Sequence, residues 1–104
     1  GKQCVLVDDM IDTAGTISEA VKVVMNAGAS SVIVAATHGI LSDPTAQRLS
    51  ECGASEVIVT DTLPIAPEKR FDNLTILPIA PLLARAIREV FDDGSVTSLF
   101  DGVA

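Results

Sequence analysis

Apolar residues along this chain come in two rhythms. Four short runs are almost continuously aliphatic: residues 4–7 (CVLV), 31–36 (SVIVAA), 56–60 (EVIVT) and 74–77 (LTIL). Runs of this length and kind predict parallel strands buried on both faces. Between them, apolar positions recur at helical spacing. Ile17, Ala20, Val21, Val24 and Met25 fall on one face, with Ser18, Glu19, Lys22 and Asn26 opposite, and Gly28 is a natural stop. A second helix is expected from Asp43-Pro44, with Asp43 as cap and Pro44 in the first turn. Its Ala46 and Leu49 face inward and Gly53 ends it. A polar loop at 64–73 carries Glu68, Lys69 and Arg70. The last helix starts at Pro81 after a poor capping residue, Ala80. It turns Leu83, Ala86, Ile87 and Val90 inward and stops at Asp93-Gly94. Residues 95–100 (SVTSLF) form a tail that, on pattern alone, reads as an edge strand.

This order of elements predicts one α/β domain over residues 1–104: a three-layer, mainly parallel sheet of about four strands, with helices on both faces and right-handed crossovers. Ligands on such sheets sit beyond the carboxyl ends of the strands. Asp8-Asp9, Thr37-His38 and Asp61-Thr62 are all expected there. The chain opens almost directly on its first strand, taken as a central one, so a piece of a longer protein is expected.

The most informative chemistry lies behind the first strand. A small-residue loop, Asp12, Thr13, Ala14, Gly15 and Thr16, leads into the first helix. Backbone N–H groups at a helix N-terminus, reached through a loop containing glycine, suit a phosphate. Gly15 would let the backbone approach that phosphate or take a positive φ. The carboxylates of Asp8 and Asp9 would repel phosphate, so they suit a different role. They can accept bonds from sugar hydroxyls, or hold Mg²⁺ directly or through water. A phosphate at one end and a diol at the other describe a ribose phosphate. A plainer alternative stands beside this reading, because Thr16-x-x-Glu19 matches a capping box that would satisfy the helix end without a ligand. His38, the sole histidine, has no visible base, nucleophile or metal partner, and is expected simply to be hydrogen-bonded. Asp61 suits a turn better than a metal or sugar site. Lys69 and Arg70 read as solvated loop charges.

Composition narrows the classes. Of 104 residues, 48% are hydrophobic and 3% aromatic, with no Trp or Tyr, so the core must be built of Val, Ile, Leu and Ala. A formal net charge of −7 argues against a general nucleic-acid surface. It leaves room for a phosphate ligand, because local N–H groups outweigh a distant net charge. No apolar run reaches membrane-spanning length, and no signal peptide is visible. Cys4 and Cys52 lack metal-ligand spacing and are expected as reduced, buried thiols of a cytoplasmic protein.

The stretch VLVDDMIDTAGT at residues 5–16 resembles the ribose-5-phosphate signature of ribose-phosphate pyrophosphokinases, the phosphoribosyl pyrophosphate synthetases. Type I phosphoribosyltransferases carry a looser form of it. The resemblance extends through Ala36-Thr37-His38-Gly39 with Ser42, through T-D-T-L-P, and through A-P-L-L-A-R-A-I-R to the tail. It implies a phosphoribosyltransferase-like fold in which Asp12, Thr13, Ala14, Gly15 and Thr16 take the 5-phosphate while Asp8 and Asp9 hold the ribose. It also implies a regulatory phosphate or ADP site between subunits at Ser95, Val96, Thr97 and Phe100. Thr97 stands where the family has a serine. The complete enzymes use ATP and Mg²⁺ and form homo-oligomers. This chain corresponds to a carboxyl-terminal portion, with no catalytic and no metal-ligating residue of its own. The N-terminal half, with the ATP-binding residues, is expected to be missing. Two other readings remain open: a phosphoribosyltransferase fragment binding phosphoribosyl pyrophosphate, or a non-enzymatic signalling receiver. Receivers begin V-L-V-x-D-D and carry an Asp where Asp61 stands. They also need a late lysine, which does not follow residues 74–77.

Overall fold

The computed structural model describes residues 1–42 and 44–92. Four strands, β1 (Gln3–Ile11), β2 (Ser31–Gly39), β3 (Glu56–Thr60) and β4 (Leu74–Leu77), form one sheet in the order β1-β2-β3-β4. All three pairings are parallel. Helix α1 (Gly15–Asn26) joins β1 to β2, and α2 (Thr45–Glu51) joins β2 to β3. A single 3₁₀ turn at Pro67–Lys69 lies between β3 and β4, and α3 (Ala80–Phe91) follows β4. The expected parallel α/β class therefore holds.

The core lies on one face of the sheet. Val32, Val34, Val57 and Val59 are fully buried there, together with Val21 of α1 and Leu49 of α2. Cys4, Leu6, Ile17, Val24, Phe71, Leu74 and Ile76 pack around them. A sequential strand order with crossovers of one hand places every connection on the same side. Ile65 and Phe71 of the β3–β4 connection accordingly join the core that α1 and α2 cover. Helix α3, in contrast, has no buried residue among those described. Its Leu83, Ile87 and Val90, expected inward, are 53%, 69% and 66% exposed.

Several details differ from the sequence expectation. β1 stands at an edge of this sheet and not at its centre. Its outward Val5 and Val7 are exposed, so this strand is covered on one face only. It also runs four residues further than the aliphatic segment. Asp8 pairs with Ala36, Met10 with His38 and Ile11 with Gly39, so the acidic pair and Thr37-His38 lie within strands and not past their ends. Continued pairing with a neighbour outweighs the weak strand preference of Asp. Met25 lies at the exposed end of its helix face. Cys52 is buried and Cys4 half-buried, and both are free thiols. The cap expected at Asp43 and the stop at Asp93-Gly94 fall outside the described residues. So do Ser95, Val96, Thr97 and Phe100.

Candidate functional site

The end of β1, the loop behind it and the first turn of α1 enclose a pocket of about 180 Å³. It is lined by Asp8, Met10 and Ile11, then by Asp12, Thr13, Ala14, Gly15, Thr16 and Ile17. Six of the seven residues expected to bind substrate therefore meet at one cavity. Asp9, its neighbour in the strand, is not among the lining residues.

The loop is shaped by an unusual backbone. Ala14, the residue before α1, has φ 62° and ψ 11°, the left-handed region that L-residues enter at a cost. It is nonetheless buried, at 6% exposure. The positive φ expected of Gly15 thus belongs to its neighbour. A Cβ on Gly15 would meet Nη1 of Arg48 at 3.4 Å, an ordinary van der Waals contact with a side chain of α2. The capping box does not form: α1 already begins at Gly15, Thr16 lies inside it, and no side chain caps its start. A second positive φ, 57° at Leu41, lies in the β2–α2 connection.

That connection reaches across to the loop. The N–H groups of Ile40 and Leu41 both donate to the carbonyl of Ile11, at 2.9 and 3.1 Å. The Ser42 hydroxyl donates to the Asp12 carboxylate. The buried Thr45 hydroxyl donates to the Asp12 carbonyl. Arg48 Nη1 donates to the Thr13 carbonyl at 2.9 Å. Further along, Ser18 N–H donates to the Ala14 carbonyl at 2.9 Å and Ser18 Oγ to the Gly15 carbonyl at 3.0 Å. The N–H groups of Thr13, Ala14, Gly15 and Thr16 donate to no group among the described residues. They are the free donors that a phosphate needs at a helix N-terminus.

The acids divide by environment. Asp8 Oδ1 accepts the N–H of Asp9 at 2.8 Å while the residue still faces the pocket. No cluster of three or more His, Cys, Asp or Glu side chains suited to a metal occurs among the described residues. Two exposed carboxylates fit a hydrated Mg²⁺ that takes its other oxygens from water and phosphates. Elsewhere, His38 Nδ1 lies 2.7 Å from Thr62 Oγ1, the plain hydrogen-bonded role expected of it. Asp61 Oδ1 accepts the N–H of Ile79 at 2.8 Å, ahead of α3. Its carboxylate is thus engaged with backbone, unlike the free acceptor a receiver domain would present.

The model of the phosphoribosyl synthetase-associated domain matches residues 1–101. The chain belongs to that family. A ribose-phosphate pyrophosphokinase of Mycobacterium bovis is 67% identical over all 104 residues, and one of Bifidobacterium longum is 66% identical over 97% of the chain. The crystal structure of phosphoribosylpyrophosphate synthetase from Mycobacterium smegmatis superimposes with a TM-score of 0.84 at 65% identity, over 90% of this chain and 32% of that one. The chain spans about a third of the length of these curated relatives, 32% and 30%. The matches do not support the expected carboxyl-terminal placement. Within this family member, sequence reasoning did not find Thr45 and Arg48 as partners of the loop. A buried threonine and a lone cation on a short helix gave no signal. Ser42 was visible only as part of the A-T-H-G-x-x-S resemblance.

Proposed function

We propose that this chain is part of a ribose-phosphate pyrophosphokinase and supplies its ribose-5-phosphate pocket. The observation that carries the proposal is the row of unused N–H groups from Thr13 to Thr16, opening on a pocket that also contains Asp8. The 5-phosphate sits against those donors, in the field of the α1 N-terminus. Asp8 accepts the ribose hydroxyls, with Asp9 beside it in the strand. Asp12 contributes its place in the loop, since its carboxylate already accepts from Ser42. Such a grip on both ends of the sugar fixes C1 in space, and binding energy gained at the remote phosphate supports reaction at C1.

In the complete enzyme the C1 hydroxyl attacks the β-phosphorus of ATP. A new O–P bond forms as the hydroxyl proton passes to water, the bond from the β-phosphorus to the α,β-bridging oxygen breaks, and AMP leaves. Mg²⁺ neutralises charge on the phosphates in such transfers. The role of this chain is to bind and orient the acceptor. ATP contacts and the homo-oligomeric assembly belong to the remaining two thirds of the relatives' length or to neighbouring copies. A regulatory phosphate or ADP site at Ser95, Val96, Thr97 and Phe100 is part of the same proposal. So is a cytoplasmic location; no helix among the described residues is long and apolar enough to cross a membrane.

The test is an activity assay on the full-length protein with Asp8→Asn. Wild type is expected to form AMP and phosphoribosyl pyrophosphate from Mg-ATP and ribose 5-phosphate. The variant should keep its fold and lose turnover or sugar affinity. An Asp8→Asn protein with unchanged rate and unchanged sugar affinity would remove Asp8 from the site.

A further inference from the structure

A trans peptide unit is planar, and its C=O and N–H point in opposite directions. Fixing the carbonyl of one residue therefore aims the N–H of the next. In this chain four successive carbonyls are each held by a donor. Asp12 is held by the Thr45 hydroxyl, Thr13 by Arg48, Ala14 by the Ser18 N–H and Gly15 by the Ser18 hydroxyl. The N–H groups on the other side of those four peptide planes are those of Thr13, Ala14, Gly15 and Thr16, which donate to nothing among the described residues.

We infer that α2 acts as a clamp that presents the loop's N–H groups to an anion, with Arg48 and Thr45 as positioning residues that do not themselves touch the ligand. The inference rests on the ribose-5-phosphate reading above and names what gives that pocket its shape. Two of the four carbonyls are held from within α1, by the backbone N–H and the hydroxyl of Ser18. The other two, Asp12 and Thr13, precede the helix and have no helical partner. Without Thr45 and Arg48, nothing in α1 fixes the orientation of the first two donors. The clamp is asymmetric in its strength. Thr45 is fully buried, so its bond is sheltered from water, whereas Arg48 is exposed and adds a positive charge beside Gly15. Ser42 adds a third tie by engaging the Asp12 carboxylate, which draws that negative charge toward the β2–α2 connection.

The experiment uses the full-length protein with Arg48→Met, Arg48→Lys and Thr45→Val. Two readouts are taken: the inorganic phosphate concentration that half-protects the Thr13 to Thr16 amides from hydrogen exchange, and KM for ribose 5-phosphate beside KM for ATP. Without ligand these unbonded amides exchange fast, and phosphate should protect them in the wild type. Arg48→Met should raise the half-protecting phosphate concentration about tenfold and raise the ribose 5-phosphate KM by a similar factor. The ATP KM should stay within twofold. Arg48→Lys, which keeps a charged donor, should recover most of both losses, and Thr45→Val should resemble Arg48→Met. Unchanged phosphate protection in Arg48→Met and Thr45→Val would overturn the clamp. An equal rise in both KM values would overturn the positioning role, because it would signal general damage. Weakened phosphate protection in a protein whose wild type does not use ribose 5-phosphate would sustain the clamp and overturn the sugar-phosphate reading alone.

Discussion

Ala14 is the residue at which the site's shape is most open to attack. It holds a left-handed backbone, φ 62°, while 6% exposed. Replacing it by Val adds two methyl groups where there is little room and puts a β-branched residue in a conformation it strongly resists. Ala14 already carries the cost of about 1–2 kcal/mol that an L-residue meets in the left-handed region, so only the excess for a branched side chain enters the change. Overpacking a filled site costs roughly 1–3 kcal/mol. That is a sizeable part of the roughly 5–15 kcal/mol that holds a domain together. For a domain of this size it lowers the melting temperature by at least about 4 °C. Ala14→Gly is the matching control. It relieves the backbone strain, about 1 kcal/mol, but loses a buried methyl and adds about 0.5–1 kcal/mol of chain entropy. Its stability should therefore lie within about 1 kcal/mol of the parent. The two variants are compared by thermal unfolding and by calorimetric titration with ribose 5-phosphate. Ala14→Val should lose both stability and affinity, and Ala14→Gly should keep both. A Val variant that melts and binds like the parent would refute the left-handed turn and the pocket shape built on it.

Three further outcomes follow from the geometry. Gly15→Ala points its methyl at Arg48 Nη1, 3.4 Å away. Because the Arg side chain can give slightly and Gly is a poor helix residue, the fold should be kept and sugar-phosphate affinity should fall less than threefold; a tenfold loss would show that the ligand needs the space a side chain at Gly15 takes. Asp61→Ala frees the N–H of Ile79 and should cost about 1 kcal/mol or less, read as faster amide exchange at Ile79 and the start of α3; unchanged exchange there would contradict the contact. Leu83→Lys and Ile87→Lys place charges on side chains that are 53% and 69% exposed. In the 104-residue chain they should alter stability by less than about 0.5 kcal/mol, and a loss above about 2 kcal/mol would show that α3 is packed.

The sequence shows most of this fold. Continuous aliphatic runs placed all four strands, and helical spacing placed three helices. It misjudged where β1 and β2 stop, because Asp8 to Ile11 stay in the sheet by pairing with residues 28 positions away, from Ala36 to Gly39. Local propensity cannot register such a partner. It also read Val5 and Val7 as covered on both sides, since an aliphatic run looks the same at an edge as at a centre. The pocket was legible from D-T-A-G-T because small residues with a glycine before a helix suit an anion, although the structure was needed to remove the rival capping box at Thr16. The turn at Ala14 was not, because positive φ is expected of glycine, and a glycine stood next to it. Thr45 and Arg48 were illegible for a third reason: their partners lie 33 and 35 residues earlier, and nothing in a seven-residue helix marks which polar side chains turn toward a distant loop.

The central claim is that the unused donors from Thr13 to Thr16 receive the phosphate of a ribose phosphate. A crystal structure of the full-length protein with ribose 5-phosphate tests it most directly. The expected result is phosphate oxygens about 3 Å from those four nitrogens, with the ribose hydroxyls turned toward Asp8. A phosphate bound elsewhere, with the loop at 12–16 empty at saturating ligand, would contradict it.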